Sequence, residues 1–472
     1  MARSKSAAHP VGYWSAVAIG VGGMVGGGIF AVLGLSVQIT KGAAPVAFGL
    51  AGAVALLTAR SYALLSKTYP SRGGTVTFVN RAFGTGLFSG GINVLLWLSY
   101  IVMLALYSQA FGSYAATFVP DSWHIVLKHV FLSAAIVVIT VVNIAGATAV
   151  ARAERAVVAI KLAILVLFVV VGLAGTSVAR LEPAQWGSPV AVVAGGMIIF
   201  LAYEGFELIA NAAEDVADPG RTLSRAYYTS VLFVIVLYVL VAVVAVGSLP
   251  VAQLVNARDY ALAEAARPAL GAIGFTMIGI AAMLSTASAI NATLYGTARM
   301  TYIIATSREL PAQLERRIWK QPLEGLLITA VATLVLANVL DLQSISIMGS
   351  AGFLIIFAVV NLAEARTARD RGSKPWISLL AATACIGALA ALVIDLSCAG
   401  GHGGVVLRDR GTVSARQRSS GQRLKGSRQA ILSTTDQPLF RCRARRPARR
   451  RPIVNHNAIQ GFTEPVVAVA VP

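Results

Sequence analysis

From Trp14 to Leu396 the chain is a run of apolar stretches, each about as long as a bilayer is thick, separated by polar loops. Roughly 20 apolar residues carry a helix across a hydrocarbon core. Eleven stretches qualify: 14–39, 43–66, 84–118, 125–147, 153–175, 187–212, 225–249, 270–305, 323–340, 343–363 and 376–396. In lipid, backbone polar groups must be satisfied within the segment or around a closed barrel, so apolar runs of this length are expected to be helices. With 57% hydrophobic and only 12% charged residues, the composition excludes an ordinary soluble domain. The expected class is an all-α integral membrane protein.

The opening "MARSKSAAHP" leads into a span longer than a signal-peptide core, with no small-residue cleavage pattern behind it. The first span is therefore expected to stay in the mature chain. A net charge of +19 raises the question of nucleic acid, but its placement answers it. If the N-terminus is cytoplasmic, Arg3, Lys5, Lys67, Arg72, Arg81, Arg152, Arg155, Arg221 and Arg225 fall inside, as do the basic residues near 308–320 and 366–374. Only Lys41, Lys128, Arg180, Arg258 and Arg267 fall outside. This is the positive-inside pattern of a multi-pass protein of the cytoplasmic membrane, with no nucleic-acid partner expected.

Three regions follow: a cytoplasmic N-terminus at 1–13, a transmembrane domain at 14–397, and a tail at 398–472. The tail has fourteen basic residues against three acidic ones and no apolar periodicity. It is expected to be disordered, or frameshifted in place of a twelfth span. Cys385, Cys398 and Cys442 have no metal-binding spacing, so no metal or cofactor is expected. No catalytic constellation stands out either, and the chain is not expected to be an enzyme.

The first ten spans divide into two groups of five, about 14–175 and 187–363, and the first span of each group is interrupted. Span one carries "GVGGMVGGGIF", Gly20 to Phe30, with six glycines in eleven residues. Close helix packing is one reading, since Gly22/Gly26 and Gly23/Gly27 are small residues four apart. The other is an unwound segment around Gly20 to Gly26, whose free backbone groups, Gly22 and Gly23 among them, line a substrate cavity, and whose restarting half-helix, from Gly26, Gly27 and Gly28, turns its N–H groups and positive dipole end toward a substrate carboxylate. Span six carries "FLAYEGFE", Phe200 to Glu207, with two acids at membrane depth. Carbonyls from Phe200 through Ala202 to Tyr203 would accept from a substrate ammonium, with Phe200, Tyr203 and Phe206 as cover. Interrupted spans in equivalent places of two halves point to a transporter site near the bilayer midplane.

Acids within a span are functional candidates by default. Glu204 is expected to face the ligand, whereas Glu207 either takes part in proton coupling or makes a structural hydrogen bond to span one. Lys161, in span five, either snorkels to the membrane edge or is held out of water, where burial disfavours its charged form and lets it exchange a proton. In span eight, Ser285, Thr286 and Ser288 could offer oxygens to such a cation, or simply bond their own backbone.

Four segments together resemble the amino acid–polyamine–organocation (APC) transporter superfamily, and within it the bacterial and archaeal amino acid permeases. They are "GVGGMVGGGIF", "SYALLSKTYPSRGGTVTFVNRAFG", "FLAYEGFELIANAAEDVADPGRTLSRA" and "LSTASAINATLYGTARMTYIIATSRELP". The resemblance implies a leucine-transporter-like fold of two inverted five-helix repeats working by alternating access. It implies that Gly26, Gly27 and Gly28 hold a carboxylate, and that Phe200 to Tyr203 supply carbonyls and an aromatic gate. It also implies that Lys161 stands in place of the sodium ion, as a span-five lysine does in related proton-coupled permeases, and that Glu207 ends the "GxE" pattern. Family members usually have twelve spans, where eleven are visible here. The expected function is proton-coupled amino acid symport. Amino acid/amine exchange is the alternative within transport; a membrane amino acid sensor, or a transport-dead variant, is the alternative of another class.

Overall fold

A computed structural model describes residues 11–145, 148–306, 323–368 and 374–394, with the side chains of 148–155 excepted. The expectations for the tail, for Cys398 and Cys442, and for the basic residues near 308–320 lie outside the described residues. Among the described residues the elements are helical: α1 (Tyr13–Met24), α2 (Gly28–Thr40), α3 (Ala44–Thr68), α4 (Gly74–Phe83), α5 (Leu87–Ala116), α6 (His124–Ala145), α7 (Thr148–Leu173), α8 (Pro189–Ile198), α9 (Leu208–Asn211), α10 (Pro219–Ser248), α11 (Val251–Asn256), α12 (Ala261–Thr306), α13 (Leu323–Val339) and α14 (Leu342–Ala368). A last helix, α15, runs over Trp376–Ile394. Among the described residues nine helical stretches are long and apolar enough to cross a membrane, α1 and α2 form a tenth span bent by 45°, and α13 is a shorter apolar helix. Each of the eleven stretches read from the sequence thus has its helix.

Local chemistry sets several boundaries. Ser188 caps α8 by accepting from the Ala191 N–H at 3.2 Å, and Pro189 fills the first helical position, where no N–H is needed. Asp341 does the same for α14, accepting from the Ser344 N–H at 3.2 Å. Burial pushes the Asp341 carboxyl up, but the hydrogen bonds from Ser344 and Gln343 together with the Arg258 charge hold it below the ordinary carboxylate range. Span eight starts earlier than the hydropathy suggests. Gly271, at φ 62°, kinks α12, so the apolar run that begins near 270 is continued backwards by a helical segment containing Pro268.

The spans sort into an inner and an outer group. Of its most apolar window, Pro189–Asn211 buries 89%, whereas α6 buries 22% and α7 28%. Val137, Val138 and Val141 of α6 and Val170 of α7 are accordingly exposed, which suits a lipid-facing surface. Inside, α3 lies along α10, and α5 packs on α6, α12 and α14. The two interrupted spans meet within this inner group.

Candidate functional site

Glycine lets the two interrupted spans touch backbone to backbone. A Cβ on Gly205 would overlap the Gly23 and Met24 main chain, and one on Gly28 would fall 2.8 Å from Cα of Ala202. Gly27 lies against the Tyr107 ring and the Thr286 methyl. These contacts explain the glycine run better than conformational freedom does, because none of Gly20 to Gly28 has a positive φ.

The break strands carbonyls at the end of α1, and neighbouring side chains take them up. Lys161 Nζ donates to Gly22 O at 3.2 Å, Tyr238 to Met24 O at 2.6 Å, and Ser285 to Val25 O at 3.1 Å and also to Gly26 O. Buried carbonyls without donors are costly. Ser285→Ala is therefore expected to lower the stability of the detergent-purified protein by about 1–2 kcal/mol, read as a lower melting temperature. Ser288→Ala serves as the comparison, since Ser288 is only half-buried.

Span six is tightened rather than unwound. Phe200–Glu207 forms a 3-10 helix between α8 and α9, so i→i+3 bonds keep most of its backbone satisfied. Ser350 bridges the entry, donating to Ile198 O at 2.9 Å and accepting from Leu201 N at 3.3 Å. All eight residues of the stretch are buried. Their aromatic rings pack on neighbouring rings: Tyr203 donates to Phe48 O at 3.0 Å and lies 5.2 Å from the Tyr238 ring, Phe200 meets Phe357, and Phe206 joins Tyr62, Tyr227 and Phe357. The aromatic ring against Gly26 and Gly27 is that of Tyr107, in span three. Sequence reasoning missed it: α5 carries Tyr100, Tyr107 and Tyr114 seven residues apart, a spacing that marks one helix face, but spacing alone does not say which glycine that face meets.

The acids have different surroundings. Glu207 accepts from Tyr62 at 3.0 Å, from Thr75 at 3.2 Å and from Tyr100. It thereby ties span six to α3, α4 and α5, and it also hydrogen-bonds Glu204; these are its partners, rather than the span-one backbone expected in its structural role. Glu204, 4% exposed, lies against the Glu207 carboxyl, and its Oε2 has no hydrogen-bond partner. Lys161 is 1% exposed, with its ammonium on the Gly22 carbonyl. Ser285 serves span-one carbonyls, and Thr286 bonds its own helix at Ala282 O and Met283 O.

Gly22 and Gly23 fall on the α1 side of the break, against Val158 of α7 and Gly205 respectively, while Gly26, Gly27 and Gly28 form the α2 side. A cavity of about 390 Å³ is lined by Thr75, Tyr100, Leu208, Asn211, Thr293 and Arg72, among others. It runs from the hydroxyls on Glu207 toward the face where Arg72 pairs with Asp215 at 2.8 Å. Elsewhere the backbone of Arg258 packs on Gly34 of α2, and Lys128 pairs with Asp259 at 2.8 Å.

A multi-pass helical bundle with two interrupted spans crossing at a buried, glycine-lined centre is the architecture of a membrane transporter. The chain matches the amino acid permease family over residues 11–398, and it belongs to that family, within the APC superfamily. An inner membrane transport protein of Escherichia coli, YbaT, is 35% identical over 364 residues, covering 76% of this chain and 84% of that one. An uncharacterised protein of Methanocaldococcus jannaschii is 34% identical over 355 residues, covering 74% and 81%. The methylthioribose transporter of Bacillus subtilis is 26% identical over 381 residues, covering 76% and 81%. The family and the relatives with assigned roles are transporters rather than enzymes.

Proposed function

We propose that this permease carries α-amino acids across the cytoplasmic membrane, together with protons, with its N-terminus in the cytoplasm. One observation carries the reading: side chains cap the carbonyls at the end of α1, whereas the first-turn N–H groups of α2, from Gly28 to Phe30, have no intrahelical acceptor. Such a helix start, bare of side chains at Gly26, Gly27 and Gly28, suits a carboxylate. The carbonyls of Phe200 to Tyr203, across the contact, already accept within the 3-10 turns, with Tyr238 also 3.5 Å from Ala202 O, so an ammonium would take their second lone pairs or open those turns.

Lys161 supplies the coupling. In its charged form it bonds Gly22 O and holds α1 to α7; without its proton the charge-assisted part of that bond is lost and α1 is freed to tilt. Protonation would thus bias two orientations of the bundle, with Glu207 as a second proton-accepting group and Ser285 and Ser288 lining the path.

Uptake of a labelled amino acid mixture into proteoliposomes, with and without an inward proton gradient, tests this. Wild-type uptake is expected to rise with the gradient. Lys161→Met is expected to leave binding measurable while removing the gradient dependence. Uptake that follows sodium, or that ignores the proton gradient in the wild type, would defeat the coupling.

A further inference from the structure

We propose that Glu204 selects amino acids with a cationic side chain, an inference that rests on the amino acid reading of the site. Glu204 sits in the buried 3-10 stretch with Oε2 lacking any donor. A buried carboxylate oxygen in that condition is costly, and in a native protein it calls for a partner.

The surrounding donors are already committed. Tyr62, Thr75 and Tyr100 all give their hydroxyls to Glu207, three residues further on. The acids in the ion pairs found among the described residues are Glu214, Asp215, Asp259 and Glu264, none of them in the 3-10 stretch. Two carboxyl groups thus share one buried region, and the second lacks the hydroxyl donors that satisfy the first. On either side of Glu204 in the chain, Ala202 and Gly205 pack on Gly28 and Gly23, so Glu204 stands at the crossing of the two spans, where the Tyr107 ring lies on Gly27. A ligand whose carboxylate rests on Gly26 to Gly28 therefore has Tyr107 beside it and Glu204 beyond. An ammonium or guanidinium on its side chain would complete the orphan oxygen, favour the ionised form of a carboxyl that otherwise shares a hydrogen bond with Glu207, and lie near an aromatic ring.

The test is uptake of labelled L-arginine and L-leucine by proteoliposomes carrying wild type, Glu204→Gln or Glu204→Leu. A hydrogen-bonded charge is worth roughly 10–100-fold, so wild type is expected to favour arginine by at least about tenfold in kcat/KM. Glu204→Gln should erase most of that preference and Glu204→Leu should reverse it, with leucine uptake reporting that each variant is folded. If Glu204→Leu fails to fold, the arginine-to-leucine ratio of the near-isosteric Glu204→Gln decides. An unchanged ratio in Glu204→Gln, or a wild type that prefers leucine, overturns this inference and leaves the amino acid reading standing. A wild type that transports neither these nor any other amino acid overturns both.

Discussion

Gly205→Ala is expected to abolish uptake and to lower the melting temperature sharply. The added Cβ would overlap the Gly23 and Met24 backbone, and backbone cannot step aside as a flexible side chain can. Overpacking in a dense interior costs about 1–3 kcal/mol even where side chains can give way, so this site should lie at or above the top of that range. Gly91→Ala is the control, because no atom lies within 4 Å of its added Cβ. Size-exclusion profiles, melting curves and uptake for the two variants check the expectation. Equal behaviour of Gly205→Ala and Gly91→Ala would mean that the two spans do not meet as described.

Glu207→Ala is expected to have the second-largest effect. It removes the acceptor from three buried hydroxyls on three different elements, α3, α4 and α5; Tyr62 and Thr75 can still bond each other at 2.8 Å, so two donors are left without an acceptor. Each buried donor left without a partner costs about 1–3 kcal/mol, and because the three belong to one network the sum will not be additive. A loss of roughly 2–5 kcal/mol is expected, seen as a large fall in melting temperature and in surface expression. Glu207→Gln keeps one acceptor oxygen and should retain more stability than Glu207→Ala. The triple change of Glu207→Ala with Tyr62→Phe and Tyr100→Phe removes two of the three hydroxyls, and it should recover part of the loss. If Glu207→Ala melts like wild type, the carboxyl is not the hub of this network.

Much of the architecture was legible in the chain because the bilayer imposes a length and a polarity that composition records directly. The eleven helical stretches, the interruption at Gly26 to Gly28 and the unusual acids of span six all follow from that one constraint. The tightening of span six was not legible, since Phe200–Glu207 has no residue that distinguishes a 3-10 turn from an open break; packing against Gly23 and Ser350 makes the difference. Nor could spacing show that Tyr107 lies on Gly27, that Tyr238 and Ser285 take the carbonyls of span one, or that Tyr62, Thr75 and Tyr100 converge on Glu207. The hydrogen-bond partners in these sets stand 107 to 260 residues apart in sequence.

The sequence by itself determined that this protein is a membrane-spanning bundle with two exceptional segments, because transfer into lipid penalises each exposed polar group locally, residue by residue. Only the tertiary structure decided what those segments face. Hydrogen bonds and close backbone contacts are short-ranged, and which groups come within reach is set by how distant helices pack. That packing leaves Glu207 satisfied and Glu204 with an open oxygen, a distinction between two identical side chains three residues apart.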